Sequence, residues 1–372
     1  MNRLLTLVTA MLAAAASLFA AGQKPSEQIR ATHDERVELM SILCHLAGYR
    51  EYNMNTGGQY IADIDSFFRE AKAHPAVQML DSLRQTNGIA YDAPMSLAVN
   101  LQREGSRYTL ACDTAALEKR WKGVDMELLT RRISAFSSEA RFTEFYDTHR
   151  PFYDSVCDTF NAEVTSRFNQ GWYEQFYGTK ATESFEIIIG FANGGGNYGP
   201  HRQLPGKPKE VYSIIGYSVD DSGQPYYSTY AADYLNTLIH EFNHSFVNPL
   251  VTDPRFAGRM EAAGEKMQTL SRQTMRKNAY GSWETIINES IVRAAVVRYF
   301  IDNGMTQDEI RQSLTYEVAT GFYWMPELVK CLTEYSSHRD RYPSLDTYYA
   351  CLIQFFDDFA AGQFAEIDAA IQ

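Results

Sequence analysis

The stretch Thr237-Leu-Ile-His-Glu-Phe-Asn-His-Ser-Phe246 decides how this chain is organised. It contains the spacing His240-Glu241-x-x-His244, and residues four apart stand above one another on one face of an α-helix. Two imidazoles in that relation can share one tetrahedral Zn²⁺ and leave a position for water. Glu241 follows His240 directly, so it can reach a metal-bound water as a general base. The alternative is a pair of histidines satisfied in a core helix.

The residues around this motif predict a buried helix. The segment from Tyr230 to Phe246 has neither Gly nor Pro, and Pro249 is expected to end the helix soon afterwards. Between Asp233 and Asp253, Glu241 is the one acidic or basic side chain apart from the histidines. Apolar side chains recur along the segment at Tyr234, Leu235, Leu238, Ile239 and Phe242.

This segment resembles the active-site helix of the zincin metallopeptidases. Their extended pattern has Val or Thr three places before the first histidine, where Thr237 stands here, and a hydrophobic residue at the place of Phe246. The resemblance, together with the helical periodicity of the rest of the chain, implies a predominantly helical α+β fold. Its zincin-like catalytic region would consist of a small mixed sheet, the active-site helix and a surrounding helical shell.

A third metal ligand is expected on a later helix, over Ser282–Phe300. That segment is nearly continuously apolar from Ile286 on, with Glu289 inside it. Burying a carboxylate there is costly unless it meets a cation, and both Arg293 and a zinc ion would serve.

The run Asn288-Glu289-x-x-x-Arg293 resembles the third-ligand helix of the gluzincins, although Glu289 follows His244 by 45 positions, more than in thermolysin-like enzymes. The resemblance implies that Glu289 completes the site, with Asn288 and Arg293 in support. The alternative is a structural ion pair between Glu289 and Arg293. Other candidate ligands are Glu284, Glu265 and Asp253.

Residues 1–21 have the pattern of a secretory signal peptide. Arg3 precedes an apolar run from Leu4 to Leu18, and small residues at Ala20 and Ala21 offer a cleavage point. A transmembrane anchor is the alternative, but the run is too short to span a bilayer comfortably. We therefore expect an exported protein, periplasmic or secreted, with no membrane span after signal cleavage.

The composition limits the class of partner. Asp and Glu number 46 against 34 Lys and Arg, which gives a formal net charge of −12. An acidic chain of this kind is not expected to bind nucleic acid or an anionic membrane. The five cysteines are spread singly without a C-x-x-C, so neither a disulfide scaffold nor a thiolate zinc site is expected; a Cys331–Cys351 bridge is open, but buried thiols are favoured.

The character of the chain changes near Gly178. Residues 22–178 read as a mainly helical region, whereas 179–372 open with β-branched strands at 185–191 and 211–219 and contain both motif helices. The prediction is a zincin-like catalytic region over 179–372, with one compact unit as the alternative. In zincins an edge strand near the active helix pairs with an extended peptide, which makes a substrate-binding segment of Gly194, Gly195, Gly196, Asn197 and Tyr198. A flexible loop is the alternative.

Zincins also use a Tyr or His to stabilise the oxyanion. The candidates are Tyr335, His338 and His201, although an ordinary surface role is favoured for Tyr335 and His338. The run His240–Pro249 further resembles an uncharacterised family of exported bacterial proteins carrying H-E-F-x-H-S-F-V-N-P.

The sequence thus predicts an exported hydrolase of the gluzincin metallopeptidase type, with one Zn²⁺ and a peptide or protein substrate. Two alternatives stay open. One is a cell-envelope binding or structural protein with an inert or structural zinc site, and the other is a non-peptidase metalloenzyme.

Overall fold

The computed structural model describes residues 29–54, 58–229, 231–277 and 280–371 of the chain. The expected signal peptide lies outside these ranges. The structure is 65% helical, with one four-stranded sheet and one two-stranded sheet, which confirms a predominantly helical α+β fold. Over the described ranges, no helix combines the length and the apolar character that crossing a membrane requires.

The chain forms two compact units, and each is assembled from separated segments. One, called here the sheet unit, contains residues 29–168 and 182–235. The other, called the helical unit, contains residues 169–181 and 236–372 in its described part. The sequence suggested a division of the chain at residue 178. The two compact units follow other bounds, and the division into domains stays a prediction.

The sheet unit contains all six strands. They are β1 (Ala31–Thr32), β2 (Leu101–Glu104), β3 (Arg107–Leu110), β4 (Glu183–Gly190), β5 (His201–Arg202) and β6 (Lys209–Gly216). Its helices are α1 (Glu35–Leu46), α2 (Gln59–Phe67), α3 (Pro75–Asn87), α4 (Ala93–Asn100), α5 (Met126–Glu139), α6 (Phe142–Glu163) and the single turn α8 (Tyr226–Thr229).

The larger sheet has the order β1-β4-β6-β5. Strands β4 and β6 are parallel and pair Phe185 with Val211 through Gly190 with Gly216, while β5 is antiparallel to β6. The β-branched residues of β4 and β6 are buried at Ile187, Ile188, Ile189, Ile214 and Ile215, as expected for a sheet that is largely covered.

The smaller sheet is a hairpin of β2 and β3. The residues directly before β2, Ser96–Asn100, belong to helix α4. Pro94 lies in the first turn of that helix, where its missing N–H costs no helical hydrogen bond.

The helical unit contains α7 (Gly171–Tyr177), the motif helix α9 (Ala231–Val251) from residue 236 on, α10 (Ala257–Lys277), α11 (Trp283–Asp302), α12 (Gln307–Ala319), α13 (Met325–Ser337) and α14 (Leu345–Ile371). Helix α11 packs against α10, α12 and α13, and it is buried almost continuously from Ile286. Ser282 caps its start by accepting a hydrogen bond from the Thr285 N–H at 3.2 Å. The five cysteines are all free thiols.

The motif helix runs slightly further than the sequence predicted. Pro249 lies inside its last turn, and the helix ends at Val251. On one side of the helix, Phe246 stacks on Tyr177 of α7 with ring centroids 4.5 Å apart. The hydroxyl of Tyr173 donates to the carbonyl of Ile239 at 3.2 Å. This packing fixes the helix that carries both motif histidines.

Candidate metal centre

Three side chains from two helices of the helical unit converge on one point. His240 and His244 project from α9, and Glu289 projects from α11. Their donor atoms all lie within 4.8 Å of one another, and this is the one such group of three or more His, Cys, Asp or Glu residues over the described part of the chain. The three residues could hold a metal ion.

The separations of the donor atoms allow a test of the fit. The Nε2 atoms of His240 and His244 are 3.2 Å apart. Glu289 Oε2 lies 3.6 Å from His240 Nε2, and Glu289 Oε1 lies 3.5 Å from His244 Nε2. Bonds of ~2.0–2.2 Å at tetrahedral angles place donor atoms about 3.3–3.5 Å apart. These separations are close to those between donor atoms of one tetrahedrally coordinated ion, with Glu289 facing each histidine through a different carboxylate oxygen.

Two asparagines orient the second histidine. Nδ1 of His244 lies 3.0 Å from the side-chain oxygen of Asn288 and 3.1 Å from that of Asn248. Asn288 also donates its amide N–H to Asn248 Oδ1 at 2.7 Å, so the Asn248 oxygen accepts from Asn288 while it also faces the imidazole. With its proton on Nδ1, the ring would donate to these oxygens and leave Nε2 as the nitrogen available to a metal ion.

The Glu289 carboxylate is also bound to Arg293. The Nε–H of Arg293 donates to Glu289 Oε2 at 3.1 Å. Its Nη1 donates to both carboxylate oxygens of Glu317, at 2.9 and 3.2 Å, and its Nη2 donates to the Tyr280 hydroxyl at 2.9 Å. The ion pair that the sequence left as an alternative is thus present beside the three-donor group. The same carboxylate faces both histidines and Arg293.

The electrostatic setting favours the protonation states that a metal centre needs. Burial holds the pKa of His240 well below its ordinary value, and electrostatic interactions with His244 and Arg293 lower that pKa further. A neutral imidazole is the form that binds metal. Burial also raises the pKa of Glu241; His244 opposes that shift and the negative charge of Glu289 adds to it. A raised carboxyl pKa suits a general base.

The other ligand candidates lie outside this group. Glu284 and Glu265 are exposed to solvent. Asp253 is engaged by Arg255, whose Nη2 lies 2.6 Å from Asp253 Oδ2. Glu284 precedes Glu289 by five residues, which is about 140° around the helix axis.

The three oxyanion candidates make contacts with other parts of the chain. Tyr335 is fully buried, and its hydroxyl donates to the carbonyl of Phe176 at 2.5 Å. His338 is exposed, with Nδ1 2.9 Å from the carbonyl oxygen of Glu334. His201 lies in β5 of the sheet unit and pairs with Val211. None of these contacts involves His240, His244 or Glu289, and an oxyanion role stays a prediction for all three.

The glycine-rich segment belongs to the sheet unit and is tightly packed there. Gly194 and Gly195 have positive φ angles of 72° and 81°. A Cβ atom on Gly194 would lie 1.9 Å from the carbonyl oxygen of Glu51, so the close approach requires glycine.

The rest of that segment is held against β6. Tyr198 and Ile214 exchange two backbone hydrogen bonds of 2.8 and 2.9 Å, and a Cβ on Gly196 would lie 2.6 Å from the Tyr198 hydroxyl. Asn197 is exposed, and its side-chain oxygen accepts from the Gly216 N–H at 3.1 Å. These contacts give the segment a packing role, and its binding of substrate stays a prediction.

Sequence reasoning missed three residues around the metal centre. Asn248 contacts His244, while Tyr280 and Glu317 both contact Arg293. Partial burial raises the pKa of Tyr280, and the Glu289 carboxylate adds to this while Arg293 opposes it. Asn248 lies four residues after His244 on the same helix face, so its position could have been found by spacing. Nothing in the local sequence marks Tyr280 or Glu317.

Comparison with known proteins gives a family without a function. Residues 29–355 match the family described as "Domain of unknown function (DUF4932)", and the chain belongs to that family. No curated protein is detectably similar to it. No solved structure is detectably similar either. The matched region includes His240, Glu241, His244 and Glu289, so the candidate metal centre lies within the part of the chain that matches the family.

Proposed function

We propose that this member of a family of unknown function is an exported zinc-dependent hydrolase that cleaves peptide bonds. The observation that carries the proposal is the convergence of His240, His244 and Glu289 within 4.8 Å, with Glu241 next to the first histidine. Two imidazoles and one carboxylate are the donor set of one common class of catalytic zinc site, which keeps its fourth position open. Export rests on the signal-peptide pattern of residues 1–21.

Zinc is the ion that this donor set fits best. The donor-atom separations of 3.2, 3.5 and 3.6 Å agree with the tetrahedral geometry that Zn²⁺ adopts, and Mg²⁺ or Ca²⁺ prefers six or more oxygen ligands. When bound, the zinc ion supplies a Lewis acid that polarises a carbonyl group and lowers the pKa of water.

Each side chain of the site then has its own role. His240 and His244 bind through Nε2, and Asn288 and Asn248 hold the ring of His244 in place. Glu289 binds through its carboxylate while Arg293 fixes the orientation of that group. Glu241 accepts a proton from the attacking water and returns it to the leaving amine, a role that its raised pKa suits.

The proposal is tested by metal analysis combined with peptide cleavage. The purified protein should contain about one zinc per chain, cleave members of a peptide library, and lose cleavage with a chelator. Glu241→Gln should keep the zinc and the fold but lose cleavage by roughly 10²–10⁴-fold, because an amide cannot accept the proton. A fully active Glu241→Gln variant would refute the proposed mechanism. Zinc binding without any hydrolysis would favour a structural or binding role, and hydrolysis of other bonds alone would favour a non-peptidase enzyme.

A further inference from the structure

The guanidinium group of Arg293 contacts two buried carboxylates. It contacts Glu289 Oε2 at 3.1 Å and Glu317 Oε2 at 2.9 Å. The side chains of Glu289, Arg293 and Glu317 are 12%, 16% and 5% exposed, so water screens their charges weakly. Two negative charges facing one positive charge leave this buried cluster with a net negative charge beside the two histidines.

The guanidinium has little freedom to leave this position. Its Nη2 donates to the Tyr280 hydroxyl at 2.9 Å, and its central carbon lies 5.0 Å from the ring centroid of Phe322. Arginine commonly stacks on aromatic rings in this way, and such contacts add to its hydrogen bonds. These contacts hold the Arg293 guanidinium beside Glu289.

The charge on Glu289 depends on how many carboxylates share the positive charge of Arg293. An arginine that pairs with one carboxylate alone neutralises the charge of that carboxylate and would compete with a metal ion for it. Glu317 reaches Arg293 from α12, a helix that carries none of the three donor residues. The start of α12 is fixed by a capping box between Thr306 and Glu309, which supports the position of Glu317 two to three turns further on.

We propose that Glu317 is a positioning residue for the metal centre. By sharing the positive charge of Arg293, it leaves the Glu289 carboxylate negative enough to bind the metal ion while Arg293 still fixes its orientation. The inference rests on the metal site of the proposed function, but it does not depend on which bond the protein hydrolyses.

The test measures zinc binding, not turnover. Metal-free wild-type protein and Glu317→Gln are titrated with Zn²⁺ at pH 8 against a chromophoric chelator, and the thermal unfolding of each metal-free protein is recorded. Glutamine keeps the size and an acceptor for Arg293 but removes the charge. We expect zinc affinity to fall about 10–100-fold, the range seen when an outer partner of a metal ligand is changed. The unfolding temperature of the metal-free variant should stay close to that of the wild type, because the Glu289–Arg293 pair is then neutral.

Two further variants separate charge from packing. Glu284→Gln removes the same charge from an exposed position on the helix that carries Glu289, and it should bind zinc like the wild type. Arg293→Gln combined with Glu317→Gln removes one charge of each sign, so it should recover part of the affinity lost in Glu317→Gln, while the loss of the orienting contact on Glu289 keeps it below the wild type.

The outcomes distinguish this inference from the proposed function. A wild-type protein that binds no zinc would refute the metal centre itself. Tight binding by both the wild type and Glu317→Gln would overturn the role of Glu317 and leave the metal centre standing. A metal-free Glu317→Gln that is clearly less stable, with no recovery in the double variant, would make Glu317 a packing residue and would equally overturn the inference.

Discussion

The side-chain amide of Asn243 donates to the backbone carbonyl of Val292 at 3.3 Å, which ties the helix of both histidines to the helix of Glu289. Asn243 is fully buried, and its side-chain oxygen accepts from the Tyr177 hydroxyl at 2.8 Å. It stands directly before His244, at the variable position of the H-E-F-x-H pattern. The Asn243 side chain therefore helps to fix the distance between the helix that carries His240 and His244 and the helix that carries Glu289.

Removing this tie should weaken the fold and the metal centre together. Asn243→Ala removes both hydrogen bonds and leaves the buried Tyr177 hydroxyl without this partner, and a buried polar group left unpaired costs about 1–3 kcal/mol. We expect the free energy of unfolding in urea to fall by roughly 1–3 kcal/mol, with weaker zinc binding. Tyr177→Phe removes one of these hydrogen bonds while keeping the ring stacked on Phe246, so its loss should be smaller. Equal stability of Asn243→Ala and the wild type would contradict this role.

The identity of the third ligand has a direct test. Glu289→Ala should reduce zinc occupancy in equilibrium dialysis to a small fraction of the wild-type value, because two imidazoles alone bind the ion weakly. Glu284→Ala changes an exposed carboxylate on the same helix and should leave zinc in place. The reverse pattern would move the ligand assignment to Glu284. Full occupancy in both variants would refute a centre built on α9 and α11.

Replacing an asparagine that contacts His244 should lower the affinity for metal more than it lowers the stability of the fold. Asn288→Ala removes the oxygen that lies 3.0 Å from Nδ1 of His244 and also the donor to Asn248. Loss of such an orienting contact typically costs about 10–100-fold in metal affinity. Chelator competition measures this loss, and Asn288→Asp, which keeps the acceptor oxygen, should restore most of it. An unchanged affinity in Asn288→Ala would show that Asn248 alone suffices.

A buried carboxyl in the sheet unit predicts a dependence of stability on pH. Glu38 is 2% exposed; it accepts from the Tyr60 hydroxyl at 2.7 Å and from the Phe191 N–H at 3.1 Å. Burial raises the pKa of Glu38 from 4.5 to about 7, although both hydrogen bonds oppose the shift. The folded protein therefore holds this proton between those two values while the unfolded chain releases it.

For this group, the free energy of unfolding falls as the pH rises from about 4.5 through about 7 and is level above that range. The difference between the two pKa values corresponds to roughly 3 kcal/mol. Glu38→Gln cannot titrate, so its free energy of unfolding should lose this slope, whereas Glu70→Gln, at an exposed position, should keep it. Urea unfolding at a series of pH values measures the slopes, and parallel curves for Glu38→Gln and the wild type would contradict the prediction.

The sequence by itself determined the features that depend on local periodicity. A four-residue spacing places His240 and His244 on one helix face wherever the helix lies, and the apolar run from Ile286 marks a buried helix around Glu289. The predominantly helical fold and the strands near 183–190 and 209–216 follow from the same kind of short-range signal.

Only the tertiary structure decided how these local features meet. From the sequence, Glu289 could pair with Arg293 or join the histidines, and the folded chain lets one carboxylate face both. Glu317 and Tyr280 reach Arg293 across 24 and 13 positions of sequence, and Asn243 ties its helix to Val292 across 49. Such contacts have no period in the sequence, because the packing of one helix on another sets them. For the same reason, the sequence did not show that Gly194 lies against the backbone carbonyl of Glu51 or that Gly196 lies against the Tyr198 hydroxyl, and substrate binding by this segment stays a prediction.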